Sequence, residues 1–97
     1  MTELNQNDDK ILFFCSSVCA PCKDLEKKLV EMNYSKYEKV NVDTKDGNDV
    51  VSRINKEFPC AIRELPTLFN ATKRILVKGN IPKQFLRTEL KKLHGLA

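Results

Sequence analysis

No run of about 18 apolar residues occurs in this 97-residue chain, so no segment is long enough to span a bilayer as a helix. The first ten residues, Met1 to Lys10, have neither the basic start nor the apolar stretch of a secretory signal. A cytoplasmic protein is therefore expected. No basic cluster with interleaved stacking aromatics is present, and the net charge of +4 is spread among acids and lysines. Nucleic acid is not an expected partner. Only three glycines occur, which leaves no glycine-rich cofactor segment. The single histidine, His94, falls near the end of the chain and is expected on the surface, without a catalytic role. Internal repeats and low-complexity segments are absent. What is present is one domain's length, 41% hydrophobic residues for a small core, and four cysteines: Cys15, Cys19, Cys22 and Cys60. In a reducing compartment such cysteines point to catalysis or metal binding rather than to structural staples.

Everything else is arranged around Cys19-Ala20-Pro21-Cys22. Before it, Ile11 to Cys15 is an apolar run that fits a buried strand. After it, Cys22, Leu25, Leu29 and Met32 recur at helical spacing. Two thiols thus sit where a strand hands over to a helix. A Cys-x-x-Cys pair beside a strand–helix–strand pattern, without an export signal, indicates a dithiol redox site. The first N–H groups of a helix lack internal partners and the dipole is positive there, so a thiolate is favoured over a thiol. Cys19 is expected to be the exposed nucleophile, with a pKa lowered from about 8.5 toward about 7. Cys22, nearly one turn further in, is the expected resolving thiol. Pro21 suits the first helical turn.

Along the chain, residues 1–9 are expected to form a flexible tail and residues 10–97 a single domain. Strands are predicted over 10–16, 37–43, 67–70 and 74–78, and helices over 21–33, 48–58 and 82–94. Thr44 to Asn48 has the composition of a turn, and Pro59 stops the second helix. Asn80 is placed to cap the last helix and Gly95 to end it. The order is β-α-β-α-β-β-α. The first two strands should be parallel with a right-handed crossover, and the last two antiparallel.

This arrangement resembles the thioredoxin and glutaredoxin superfamily over roughly Lys10 to Leu93. A second motif fits it: Leu65-Pro66-Thr67, followed by Leu68-Phe69, is similar to the X-Pro-Thr segment of that superfamily. The resemblance implies an α/β thioredoxin-like fold, with a four-stranded mixed sheet in order 2-1-3-4 flanked by three helices. It implies a cis Leu65–Pro66 bond beside the dithiol, where a substrate backbone pairs as a short extra strand. It implies that Val18, Ala20, Pro21, Leu65, Pro66 and Thr67 meet the substrate. The activity it implies is protein-disulfide oxidoreduction or electron transport serving cell redox homeostasis. The only redox group would be the Cys19–Cys22 disulfide, without a bound cofactor or metal, in an expected monomer.

The departures are informative. Thioredoxins usually read Trp-Cys-Gly-Pro-Cys; here Val18 replaces tryptophan and Ala20 replaces glycine. Phe13 stands where thioredoxins carry a buried acid, so the Cys22 proton must leave by another group or by water. Glutaredoxins usually have Tyr after the motif's proline, Gly-Gly after the fourth strand and an acid capping the last helix. Gly79-Asn80-Ile81 does not supply these, which argues against a glutathione site. A reductase protein of the thioredoxin-reductase type is the expected electron donor, and protein disulfides the expected substrates.

Two other functions compete. One is a zinc or iron–sulfur binding protein that uses the cysteines as ligands, with all four thiols or with the Cys15-x-x-x-Cys19-x-x-Cys22 spacing, which resembles that of radical S-adenosylmethionine enzymes. The other is a redox-inactive interaction domain, against which the intact Cys-x-x-Cys speaks. Cys15 is expected to be a small buried core thiol. Cys60 is expected in a loop, as a bystander or a regulatory thiol. Lys23 has two readings, a solvated lysine or a cation near the site. Tyr34 and Tyr37 are expected to pack at an edge.

Overall fold

The computed structural model describes residues 9–59 and 62–96. Seven elements follow in order: β1 (Ile11–Cys15), α1 (Ala20–Glu31), β2 (Glu38–Asn41), α2 (Lys45–Glu57), β3 (Thr67–Asn70), β4 (Ile75–Lys78) and α3 (Lys83–Leu93). The strands form one sheet in the order β2-β1-β3-β4. β1 and β2 are parallel, with Phe14 opposite Val40; β1–β3 and β3–β4 are antiparallel. The mixed sheet and its order agree with expectation.

Every residue of β1 is buried, as its unbroken apolar sequence requires of a central strand covered on both faces. Alternation then sorts its side chains. Ile11, Phe13 and Cys15 join Leu68 and Val77 under α1 and α3, which contribute Cys22, Leu25, Leu29, Leu86, Leu90 and Leu93. Leu12 and Phe14 join Val40 and Phe69 on the other face, against Val50, Val51, Ile54 and Phe58 of the α2 segment.

Several details correct the sequence reading. α2 begins three residues earlier than the predicted Asn48, because Thr44 caps it: the Gly47 N–H donates to Thr44 Oγ1 at 2.9 Å. A Cβ at Gly47 would overlap the Asn41 carbonyl oxygen, so this glycine permits close approach of α2 to the end of β2. Asn80 does not cap α3. The cap position is Pro82, without a side-chain bond, and Asn80 instead donates to Asp24 Oδ2 at 2.7 Å and accepts from Lys28 Nζ at 3.0 Å. Gly95 follows α3 with φ of 74°, as expected of a helix-ending glycine.

His94 is not a surface residue. It is buried, and its Nε2 lies 2.7 Å from the Tyr34 hydroxyl. Burial pushes the Tyr34 phenol up to about 12 and the His94 imidazole below its usual range. Tyr34 stacks on Tyr37, which meets Phe13 edge-on, so the tyrosines pack as expected. Asp9, assigned to the tail from sequence, is bound to the domain. Its carboxylate accepts from Asn70 Nδ2 at 2.9 Å and pairs with Lys73 at 3.2 Å. The remainder of the expected tail lies outside the described residues.

Candidate active site

β1 ends at Cys15, and the chain turns through Ser16 and Ser17 before α1 starts. This turn is held by a residue that the motif reading passed over. The Asp43 carboxylate, just past β2, accepts from Ser16 Oγ at 2.9 Å, from the Ser17 N–H at 3.0 Å and from Ser17 Oγ at 2.8 Å. Those bonds, Ser17's foremost, hold its carboxyl below the usual carboxylate range. The signal was available: two parallel strands end on the same side of a sheet, so the residues after β1 and after β2 must be neighbours.

The turn delivers Cys19 to the N-cap of α1. Its backbone is extended, and the Cys22 N–H donates to Cys19 Sγ at 3.2 Å. Sulfur thus occupies the place that a hydroxyl or carboxylate fills at ordinary helix starts. Cys19 and Cys22 are joined as a disulfide, with Cα atoms 5.3 Å apart. The two are unequally placed: Cys19 is half-buried, whereas Cys22 is 2% exposed and belongs to the core under α1. Val18, Ala20 and Pro21 are all exposed around Cys19, Val18 at 88%. Pro21 sits in the first turn.

Thr67 pairs with Phe14, so Pro66 immediately precedes β3 at the end of the sheet from which β1 leads to the dithiol. The Leu65–Pro66 bond is cis. Leu65 is half-buried and touches both cores, while Pro66 is fully buried and its carbonyl accepts from the Gly79 N–H at 2.8 Å. Thr67 is fully buried too, and its hydroxyl donates to the Glu64 carbonyl at 2.6 Å. The Thr67 side chain therefore braces the turn before Pro66.

Cys15 is a buried thiol, as expected. It donates weakly to the Val40 carbonyl, and burial pushes its pKa up. Phe13 is fully buried and brings no polar atom to the site. The Lys39 ammonium donates to Glu26 Oε1 at 3.0 Å, which raises the Lys39 pKa. Sequence gave no sign of this pair, because it joins α1 to β2 across the sheet edge. Among the described residues no group of three or more His, Cys, Asp and Glu could hold a metal ion. Cys60, which a four-cysteine site would need, lies outside them.

No family model matches this chain, and no curated protein matches it. Solved structures do. Thioredoxin from Trypanosoma brucei brucei is 24% identical, with a TM-score of 0.61 over 94% of this chain and 87% of that one. Mitochondrial thioredoxin 3 from Saccharomyces cerevisiae, in its oxidised form, is 23% identical, with a TM-score of 0.59 over 94% and 84%. A buckwheat glutaredoxin–glutathione complex is 16% identical, with a TM-score of 0.58 over 97% and 83%. Sheet order, helix placement and these likenesses agree: the chain has the thioredoxin-like fold.

Proposed function

We propose that the protein is a protein-disulfide oxidoreductase that cycles between the Cys19–Cys22 disulfide and the dithiol. The observation that carries this reading is the disulfide at the α1 N-terminus, with one sulfur at an accessible cap and the other in the core. In the reductive direction the Cys19 thiolate attacks a substrate disulfide. One substrate sulfur leaves as a thiolate, and Cys19 is held in a mixed disulfide. Cys22 then attacks Cys19 and releases the second substrate sulfur. The substrate gains two electrons and the protein returns to its disulfide form. Helix N–H groups and the dipole favour the Cys19 thiolate both as nucleophile and as leaving group.

Protein disulfides are the proposed substrates, met at the rim of Val18, Ala20 and Pro21 and along Leu65 and Pro66. The proposed donor is a reductase protein of the thioredoxin-reductase type. Support for that choice lies beyond β4: Asn80 is engaged with Asp24 and Lys28, and α3 has no acidic residue in its first turn to meet glutathione's amino group. We place this carrier in the cytoplasm, as a monomer.

An insulin-type disulfide reduction assay tests the reading. Wild type should turn over with a thioredoxin-reductase-type donor and poorly with glutathione. Cys19→Ser should lose essentially all turnover, and Cys22→Ser should accumulate a mixed disulfide. An inactive wild type, or full activity in Cys19→Ser, overturns the proposal.

A further inference from the structure

A cleft of about 260 Å³ opens behind the disulfide, where α1 meets the ends of β1 and β2. Cys22 lines it with Cys15, and Glu26, Lys39 and Asn41 bring polar groups to a space large enough for several water molecules. Glu26 follows Cys22 by four residues on α1, and side chains so spaced are neighbours on one helix face. From β2, Lys39 donates to Glu26 Oε1 at 3.0 Å and fixes the carboxylate at the cleft wall.

We infer that Glu26, held by Lys39, accepts the proton of the Cys22 thiol when Cys22 closes the disulfide. This rests on the oxidoreductase reading and names the group that its second step needs. Cys22 is 2% exposed, so its proton leaves by way of the cleft that it lines, where an acceptor at the wall can take it up. The other groups around the cleft are unsuited. Phe13 is apolar, and the Cys15 thiol is raised by burial and donates to Val40. The Tyr37 phenol is likewise raised by burial. Lys23 and Lys39 are cations without a free lone pair. The Asp43 carboxylate does not line the cleft and instead holds the turn through Ser16 and Ser17. Among the described residues that line the cleft, Glu26 is the one carboxylate.

The step balances. In the mixed disulfide of Cys19 with substrate, the Cys22 thiol passes its proton through cleft water to Glu26. The Cys22 thiolate attacks Cys19 Sγ, the Cys19–Cys22 bond forms and the Cys19–substrate bond breaks. The electron pair leaves on the substrate sulfur, which takes a proton from solvent. Glu26 then releases its own proton through the cleft mouth.

Two measurements test this. In single-turnover resolution of a preformed mixed disulfide at neutral pH, Glu26→Gln should slow release about 10- to 100-fold, at or below the lower end of general-base contributions. Glu26→Asp should recover part of the rate. In reduced Cys19→Ser protein, the Cys22 ¹³Cβ resonance should report two coupled protonation steps, of which Glu26→Gln removes one. A change in packing alone would not remove a step. Unchanged release together with an unchanged Cys22 titration overturns the inference. The titration needs no turnover, so it decides the point even if wild type proves inactive as a reductase, the result that would overturn the reading beneath it.

Discussion

On the sheet face that carries α1 and α3, each helix drives three side chains into near-complete burial: Cys22, Leu25 and Leu29 from one, Leu86, Leu90 and Leu93 from the other. On the opposite face α2 fully buries only Gly47, and Val50, Val51 and Ile54 stay half-exposed, as does Phe58 at its end. Two helices share the cover of one face, whereas on the other α2 is the one helix among the described residues, and the segment that follows it closes against it through Ile62. The difference explains where the dithiol sits. Cys22 is the first residue of the deeply buried row of α1, so its sulfur is fixed by the better packed of the two cores.

The comparison is sharpened most by paired truncations, one on each face. Leu29→Ala removes a fully buried side chain that close neighbours surround and should cost about 2–5 kcal/mol. Ile54→Ala should cost only about 1–2 kcal/mol, since a half-exposed site leaves little cavity and loses mainly transfer energy. Urea midpoints read both. Equal losses would show that α2 is docked as deeply as α1.

Gly47→Ala should break the pattern from the α2 side. The clash there is with the Asn41 backbone carbonyl, which cannot swing aside as a side chain would. The expected loss is about 1–3 kcal/mol, comparable to overpacking a core and out of proportion to the shallow burial of α2. A neutral outcome would mean that α2 readily slides away from β2.

The smallest expected effect concerns pH at the far end of the α1–α3 face. Burial depresses the His94 imidazole pKa, so the folded state prefers the neutral ring. With an unfolded value near 6.5, its contribution is complete above about pH 6.5. It is lost as pH falls through the lower folded value, because the unfolded chain then binds the extra proton. Denaturant midpoints should therefore decline between pH 7 and pH 5, and His94→Gln should flatten that decline. An identical slope in the variant would place the titrating group elsewhere.

Local signals made most of the site legible. Strand–Cys-x-x-Cys–helix can be seen because apolar run, thiols and helical period lie within 22 residues, from Ile11 to Met32. β3 matched its predicted bounds, with Pro66 before it and a turn after it. What escaped depends on tertiary geometry. Thr44 to Asn48 has turn composition, yet it is a capped helix start whose glycine answers to a neighbouring strand. His94 looked solvent-bound because nothing in sequence joins it to Tyr34, 60 positions away. Asp43 and the Glu26–Lys39 pair likewise acquire meaning only once β2 lies beside β1.

The bonds from Asp43 to Ser16 and Ser17 bear on the entropy of recognition. A loop beside a nucleophile ordinarily samples many backbone states, and a docking partner must suppress them. Here one carboxylate already restrains both serines, so that loss of freedom belongs to folding and is not repeated at each encounter. Under the proposed function, a shallow contact with the rim around Cys19 can then hold a disulfide in line for attack, because the partner has little left to order.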